Sequence, residues 1–333
     1  MDKEGIGGPD GATMGSLGLL GKRGDRPVVV VVAGPTASGK SAAALALAEA
    51  FRGTVINADS MQVYRELPIL TAQPAPGEQA RAPHRLYGVL PAEERCTAGR
   101  WRAMALAAIA EADATGRLPI VVGGTGLYLK ALMEGLAPIP PVPPEIRAEV
   151  ATRSAALGAA AFHAELARLD PVVAARLNPG DTQRVRRAYE VVVATGRSIA
   201  AFQGATAPGP HVFVKLLLMP PREALNAACD ARCRQMLAAG ALDEVRALLA
   251  QGLDPDLPAM KAVGVRELAR HLRGEIDLSA ALTLFQQATR QYAKRQYTWF
   301  RHQFEASRIW SAQLSERVSG EMFSFIRNSL TGP

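Results

Sequence analysis

The sequence predicts an α/β fold: a parallel sheet flanked by helices and interrupted by an all-helical insertion. Three observations predict it. Short apolar runs such as Val28–Ala33 and Leu118–Val122 carry no polar alternation, as strands buried on both faces do. Amphipathic helical patterns alternate with those runs. The alternation then stops at residue 137, where Ala137–Pro144 holds five prolines and cannot be helix or central strand.

Taken in order, residues 1–26 contain eight glycines and almost no periodic apolar pattern, and are expected to be a disordered tail. Val28–Ala33 is the first strand and Lys40–Phe51 the first helix. Thr54–Asn57 is a second strand. Thr97–Thr115 is a helix stopped by Gly116, Leu118–Val122 a third strand, and Gly126–Met133 helical again. Residues 27–136 therefore form the first part of a core. The following patterns are helical over 145–157, 159–169, 171–177 and 182–196, which assigns 137–210 to the insertion. Gly204–Pro210 breaks the pattern, Val212–Met219 returns as a strand, and residues 211–333 complete the core. After Pro221 the chain reads as helical nearly to its end, with Ala280–Phe304 the longest pattern.

Composition narrows the function classes. At 333 residues, 48% hydrophobic and 21% charged, the chain has globular composition. Three cysteines build no disulfide framework and no zinc-ligand set stands at the right spacing, so a reducing compartment is expected. The apolar runs fall far short of a membrane span, and the N-terminus lacks the basic and apolar regions of a signal peptide. A cytoplasmic protein with no membrane partner follows as the expectation. The net charge of +7 makes a polyanion a partner worth testing.

Gly34-Pro35-Thr36-Ala37-Ser38-Gly39-Lys40-Ser41 matches G-x-x-x-x-G-K-[ST] between a strand and a helix. Backbone amides at a helix N-terminus converge on phosphate oxygens there. Lys40 would contact terminal phosphate oxygens, and the Ser41 hydroxyl is the candidate Mg²⁺ ligand. The core is therefore expected to be P-loop NTPase-like. Leu118–Val122 ends in Gly123-Gly124-Thr125-Gly126 and not in a carboxylate, which argues against an ATP-driven motor. In an open parallel sheet the strand ends line the ligand crevice, which points Asp59 and Thr125 at the same cleft. A carboxylate and a hydroxyl beside a diphosphate suit proton removal from a nucleophile. Asp59 reads equally as the cap of a following turn, and Thr125 as the cap of the helix at Gly126.

Basic residues gather elsewhere. Gln183-Arg184-Val185-Arg186-Arg187 sits on an insertion helix, and Met260–Pro333 carries 11 Lys+Arg against 6 Asp+Glu. Within it Arg290–His302 interleaves cations with four aromatics, which suits phosphate neutralisation and base stacking. An amphipathic helix with its rings in the core is the alternative.

Together these segments resemble the tRNA dimethylallyltransferase (tRNA isopentenyltransferase) family. The matching pieces are Gly34–Ser41, Ala58–Tyr64, Ala82–Leu86, Val122–Tyr128, Asp181–Arg184, Lys261–Arg266 and Thr289–Arg301. Val265 departs from the family pattern, which carries a tyrosine there, and Arg85 stands where a second histidine is usual. The resemblance implies transfer of a dimethylallyl group from dimethylallyl diphosphate to N6 of the adenine 3′ to the anticodon. The tRNAs implied are those reading codons that begin with U. Asp59 and Thr125 would be catalytic, the phosphate loop would hold the diphosphate with Mg²⁺, and Arg222 and Arg232 could reach it. By the same resemblance Asp59, Ser60, Met61, Gln62, Thr125, Arg147, Gln183, Arg184, Val185, Arg186, Arg187, Lys261, Arg266, Lys294, Arg295 and Arg301 would touch the tRNA anticodon stem-loop. A monomer is expected. Rival readings are a dimethylallyltransferase acting on free adenylate, a small-molecule kinase, and a nucleic-acid binder that uses its phosphate loop as a switch.

Overall fold

A computed structural model describes residues 22–23, 26–202, 209–312 and 315–331. It opens with β1 (Lys22–Arg23) and β2 (Arg26–Ala33), followed by α1 (Lys40–Ala50) and β3 (Gly53–Asn57). Next come α2 (Pro76–Arg81), β4 (His84–Arg85), α3 (Ala98–Ala114), β5 (Leu118–Gly123) and α4 (Gly126–Glu134). Three helices follow, α5 (Pro144–Leu169), α6 (Pro171–Ala174) and α7 (Thr182–Thr195). The chain resumes with β6 (Val212–Leu218), α8 (Arg222–Ala238), α9 (Ala241–Leu249), α10 (Val265–Leu272) and α11 (Leu278–Gln303). It closes with β7 (Arg308–Trp310) and α12 (Glu316–Thr331).

Two expectations are corrected. Order begins before Pro27: Lys22 and Arg23 pair antiparallel with Pro27 and Arg26, so the expected tail contributes a short strand. The remainder of that tail, residues 1–21 and 24–25, lies outside the described residues, as do 203–208 of the expected Gly204–Pro210 break. The chain after Pro221 is also not wholly helical. Arg308–Trp310 pairs parallel with Leu216–Leu218 and extends the sheet. Three residues are too few to show a strand period in the sequence.

The sheet runs β4-β3-β5-β2-β6-β7, and each adjacent pair is parallel. At its centre Val31 lies opposite Val121 on one side and Lys215 on the other. Every residue of Val28–Ala33 is fully buried, because successive side chains enter opposite cores. Val29 and Val31 pack with Trp101, Tyr128, Phe285 and Phe300. Val28, Val30 and Val32 pack with Leu45, Leu47, Trp310 and Ile326. α3 also anchors the end of β3. Thr97 caps this helix by accepting from the Arg100 amide, and the buried Trp101 indole donates to the Asn57 carbonyl at 2.9 Å.

The described residues divide into two compact units, one up to Met133 and from Pro210, the other within Glu134–Gly209. In the second unit α5 is broken at Gly158, whose φ of 73° no helix accommodates. A core of Val150, Phe162, Leu166, Val173, Val185 and Tyr189 holds its helices together. Asp181 caps α7 through the Arg184 amide. Among the described residues no helix is long and apolar enough to cross a membrane.

Trp101→Phe keeps the ring packing and removes the indole donor, leaving the Asn57 carbonyl buried without a partner. It should lower unfolding free energy by about 1–3 kcal/mol, read as a shift of the urea midpoint. An unchanged midpoint would show that this bond does not hold the end of β3.

Candidate active site

The phosphate loop spans the gap between the end of β2 and the start of α1. It turns sharply: Ser38 N donates to Pro35 O at 3.2 Å, and Gly39 precedes α1 at φ 87°, a left-handed backbone that suits glycine. The Lys40 ammonium bends back to Pro35 O at 3.2 Å. Burial pushes its pKa down to about 8; the nearby charge of Asp59 works against that shift, and Arg232 adds to it.

Asp59 follows β3, where Asn57 folds the chain back on itself. The Asn57 carboxamide accepts from Asp59 N at 2.7 Å and donates to Asp59 O and Leu86 O, each at 3.0 Å. Asp59 Oδ1 accepts from Met61 N at 2.9 Å. No helix follows, so the carboxylate organises a tight turn and is not a helix cap. Thr125 leaves β5 beside it. Its Oγ1 accepts from Ser60 N at 2.9 Å and lies 3.3 Å from Ser60 Oγ. Its backbone carbonyl, not its hydroxyl, takes the first amides of α4.

The turns after β2 and β3 meet at a cavity of about 230 Å³, which Thr125 does not line but approaches through Ser60. Thr36, Lys40, Ser41, Asp59 and Arg232 supply its polar side. Met61, Leu70, Met236, Val263 and Phe285 supply an apolar wall. Ser60, Gln62, Lys261 and Arg295 also line it. A second space of about 300 Å³ shares Lys40, Ser41, Gln62 and Arg232, and is bounded further by Ala37, Gly39, Glu78, His84 and Tyr87. Burial holds the His84 imidazole below its usual range. Gly34, Pro35 and Ser38 are buried within the loop itself.

Other expected residues lie elsewhere. Arg266, Lys294 and Arg301 are exposed on the first unit and do not line this cavity. Arg147, Gln183 and Arg184 are exposed in the second unit, with Arg186 and Arg187 half-buried. Val185 is a correction: at 1% exposure it packs into that unit's core and cannot present its side chain to RNA. Arg222 lies over the Tyr297 ring at 5.3 Å and lines a separate space with Lys294, so of the two arginines only Arg232 reaches the Asp59 cavity. The departing Val265 is buried.

Two residues of α11 were not among the expected site residues. Tyr292 lines the cavity near Thr125, and burial, with the Asp59 charge, raises its pKa. Gln296, buried, reaches both the phosphate loop and the turn before α4. The available signal was spacing: 292, 296 and 299 fall on one helix face.

As chemistry, the cavity offers the Lys40 ammonium and the Arg232 guanidinium beside the phosphate loop, with one carboxylate, Asp59, close to both and an apolar wall alongside. The donor set suits magnesium carried by a phosphate ligand. Ser41 offers one hydroxyl, and among the described residues no cluster of three His, Cys, Asp or Glu forms a dedicated metal cage.

The sequence model of the IPP transferase family matches residues 62–303, and that of isopentenyl transferase matches 27–91. A tRNA dimethylallyltransferase of Rhodospirillum centenum is 60% identical over 286 residues, covering 85% of this chain and 91% of its own. One of Paramagnetospirillum magneticum is 57% identical, covering 90% and 96%. The crystal structure of tRNA isopentenylpyrophosphate transferase from Bacillus halodurans superposes with a TM-score of 0.66 at 32% identity, covering 91% of this chain and 96% of that one. A eukaryotic dimethylallyltransferase acting on tRNA superposes with a TM-score of 0.75 at 27% identity, covering 90% and 80%. With the cavity built on the phosphate loop, Asp59 and the Thr125 turn, and with relatives matched along most of their length, the chain belongs to the tRNA dimethylallyltransferase family.

Proposed function

We propose that the protein transfers the dimethylallyl group of dimethylallyl diphosphate to N6 of the adenine on the 3′ side of the anticodon. Its substrates are tRNAs reading codons that begin with U, and diphosphate is released. The observation that carries this reading is the convergence of Lys40, Ser41, Arg232 and Asp59 on one cavity with an apolar wall. A phosphate site alone would fit a kinase. An apolar wall and a carboxylate beside it fit a prenyl donor and an amine acceptor.

The adenine amine is a weak nucleophile, so it gains most if its proton leaves as it attacks. Asp59 accepts that proton as the N6–C1 bond forms and the C1–O bond to diphosphate breaks. The electron pair leaves with the diphosphate, whose growing charge Lys40, Arg232 and the loop amides stabilise. Thr125 fixes the turn carrying Asp59 through the Ser60 amide, with Tyr292 on the cavity wall near it. Ser41 would hold Mg²⁺ on the diphosphate, where it supplies further neutralisation of the leaving group. The adenine must leave its stack to reach Asp59. Lys261 and Arg295 at the cavity wall would meet the loop. Arg266, Lys294 and Arg301, with Arg147, Gln183, Arg184, Arg186 and Arg187 of the helical unit, would meet backbone phosphates. A tRNA substrate favours the cytoplasm as the working compartment, and on this reading the protein acts as a monomer.

Asp59→Asn, nearly isosteric, should lower kcat about 10²–10⁴-fold while the Kd for tRNA stays within about threefold; transfer at native rate removes Asp59 as the base. Replacing Arg184, Arg186 and Arg187 together by Ala should reduce the slope of log K against log salt for tRNA binding by about 2–3. An unchanged slope would take that helix out of the interface.

Lys40 generates a pH dependence. In the free enzyme its ammonium is intact below about 8 and lost above, so the grip on diphosphate weakens as pH rises through that value. KM for dimethylallyl diphosphate should be flat below and climb above it, and Lys40→Arg should flatten the climb because guanidinium keeps its proton. A native KM indifferent to pH across that window contradicts a cationic role for Lys40.

A further inference from the structure

The carboxamide of Gln296 sits between two segments that the reaction needs at a fixed separation. Its Oε1 accepts from Thr36 N, within the phosphate loop, at 2.8 Å. Its Nε2 donates to Gly124 O, one residue before Thr125, at 2.9 Å. Gln296 is 6% exposed and does not line the cavity. Every polar atom of the carboxamide that faces these segments is spoken for, one as acceptor and one as donor. A hydroxyl is too short to span them, and a carboxylate offers two acceptors where one must donate.

The surrounding packing fixes the same contact. A Cβ on Gly124 would stand 2.3 Å from Gln296 Nε2 and 3.1 Å from Gly34 O, so the absence of a side chain there admits the carboxamide. A Cβ on Gly126 would stand 2.4 Å from the Trp299 ring, on the same helix face. Tyr292, one turn earlier, lines the cavity on that side. α11 therefore meets the turn after β5 through Gln296 and Trp299, and through Gln296 it also grips the phosphate loop.

We infer that Gln296 is a positioning residue for prenyl transfer: its carboxamide sets the distance between the diphosphate grip at Thr36 and the Thr125 turn that orients Asp59. This inference rests on the proposed transfer reaction. Displacement of reacting groups by about 1 Å can cost 100-fold in rate, so the loss of one spacer is felt in kcat.

The test compares Gln296→Glu and Gln296→Met with the native protein, using labelled dimethylallyl diphosphate and tRNA over a range of pH. Rates are normalised to enzyme that binds tRNA. Both variants should lose about 10–100-fold in kcat near neutral pH. For Gln296→Glu the ratio of its rate to the native rate should rise as pH falls, because a neutral carboxyl regains a donor for Gly124 O. For Gln296→Met that ratio should stay flat. The charged and titratable groups around the cavity, Lys40, Asp59, Arg232, Lys261, Tyr292 and Arg295, are present in all three proteins, so the ratio isolates position 296. Should either variant fail to fold, Gly124→Ala reads the same contact from the opposite side and should show the same loss in kcat. Variants within about twofold of native, or a Glu ratio flat in pH, overturn the inference. A native protein that labels no tRNA overturns the proposed function instead.

Discussion

Three neighbouring parallel strands, β3, β5 and β2, release the chain at one edge of the sheet, and the chemistry depends on that shared edge. Their register sets Asn57 beside Val122 and Ala33 beside Gly123, so the turns that follow start within a few ångströms of one another. The first carries Asp59, the second Thr125, the third the phosphate loop. Parallel pairing in turn requires both faces of the sheet to be covered, and the valine run of β2 satisfies that by feeding two separate cores. Slipping this strand by one residue would exchange its faces and carry the loop away from Asp59.

The same geometry concentrates charge. Lys40 and Arg232 are both cations in a confined space, and burial lowers the pKa of each. Asp59 partly offsets the cost for both. A bound diphosphate would satisfy these cations more fully than one carboxylate can. It would also release Asp59 to interact with the amine. The free site thus carries an excess of positive charge that the proposed diphosphate would complete, leaving the Asp59 carboxylate for the proposed proton chemistry.

Much of this was legible in the sequence, for physical reasons. The phosphate loop is read from spacing because backbone curvature requires its glycines. Buried strands are read from unbroken β-branched runs, and the break at Gly158 fell between two helical patterns. What escaped reading was long-range. Tyr292, Gln296 and Trp299 share a helix face with core residues, and nothing local separates a ring that packs from one that lines the cavity. Arg232 and Arg222 are indistinguishable on α8 until the fold turns one to Asp59 and stacks the other on Tyr297. Val185 fell inside a basic cluster, yet its helical phase places it in the core. β7 is too short to announce itself and exists because β6 offers it an edge.

The central claim is that this cavity prenylates one adenine of a folded RNA. The direct measurement incubates the protein with dimethylallyl diphosphate, Mg²⁺ and unmodified tRNA, then digests the RNA and identifies the altered nucleoside and its position by mass spectrometry. The account predicts one dimethylallyl group on the adenosine 3′ to the anticodon and free diphosphate in equal amount. Modification of free adenylate with tRNA untouched, or phosphate transferred from ATP, would contradict it.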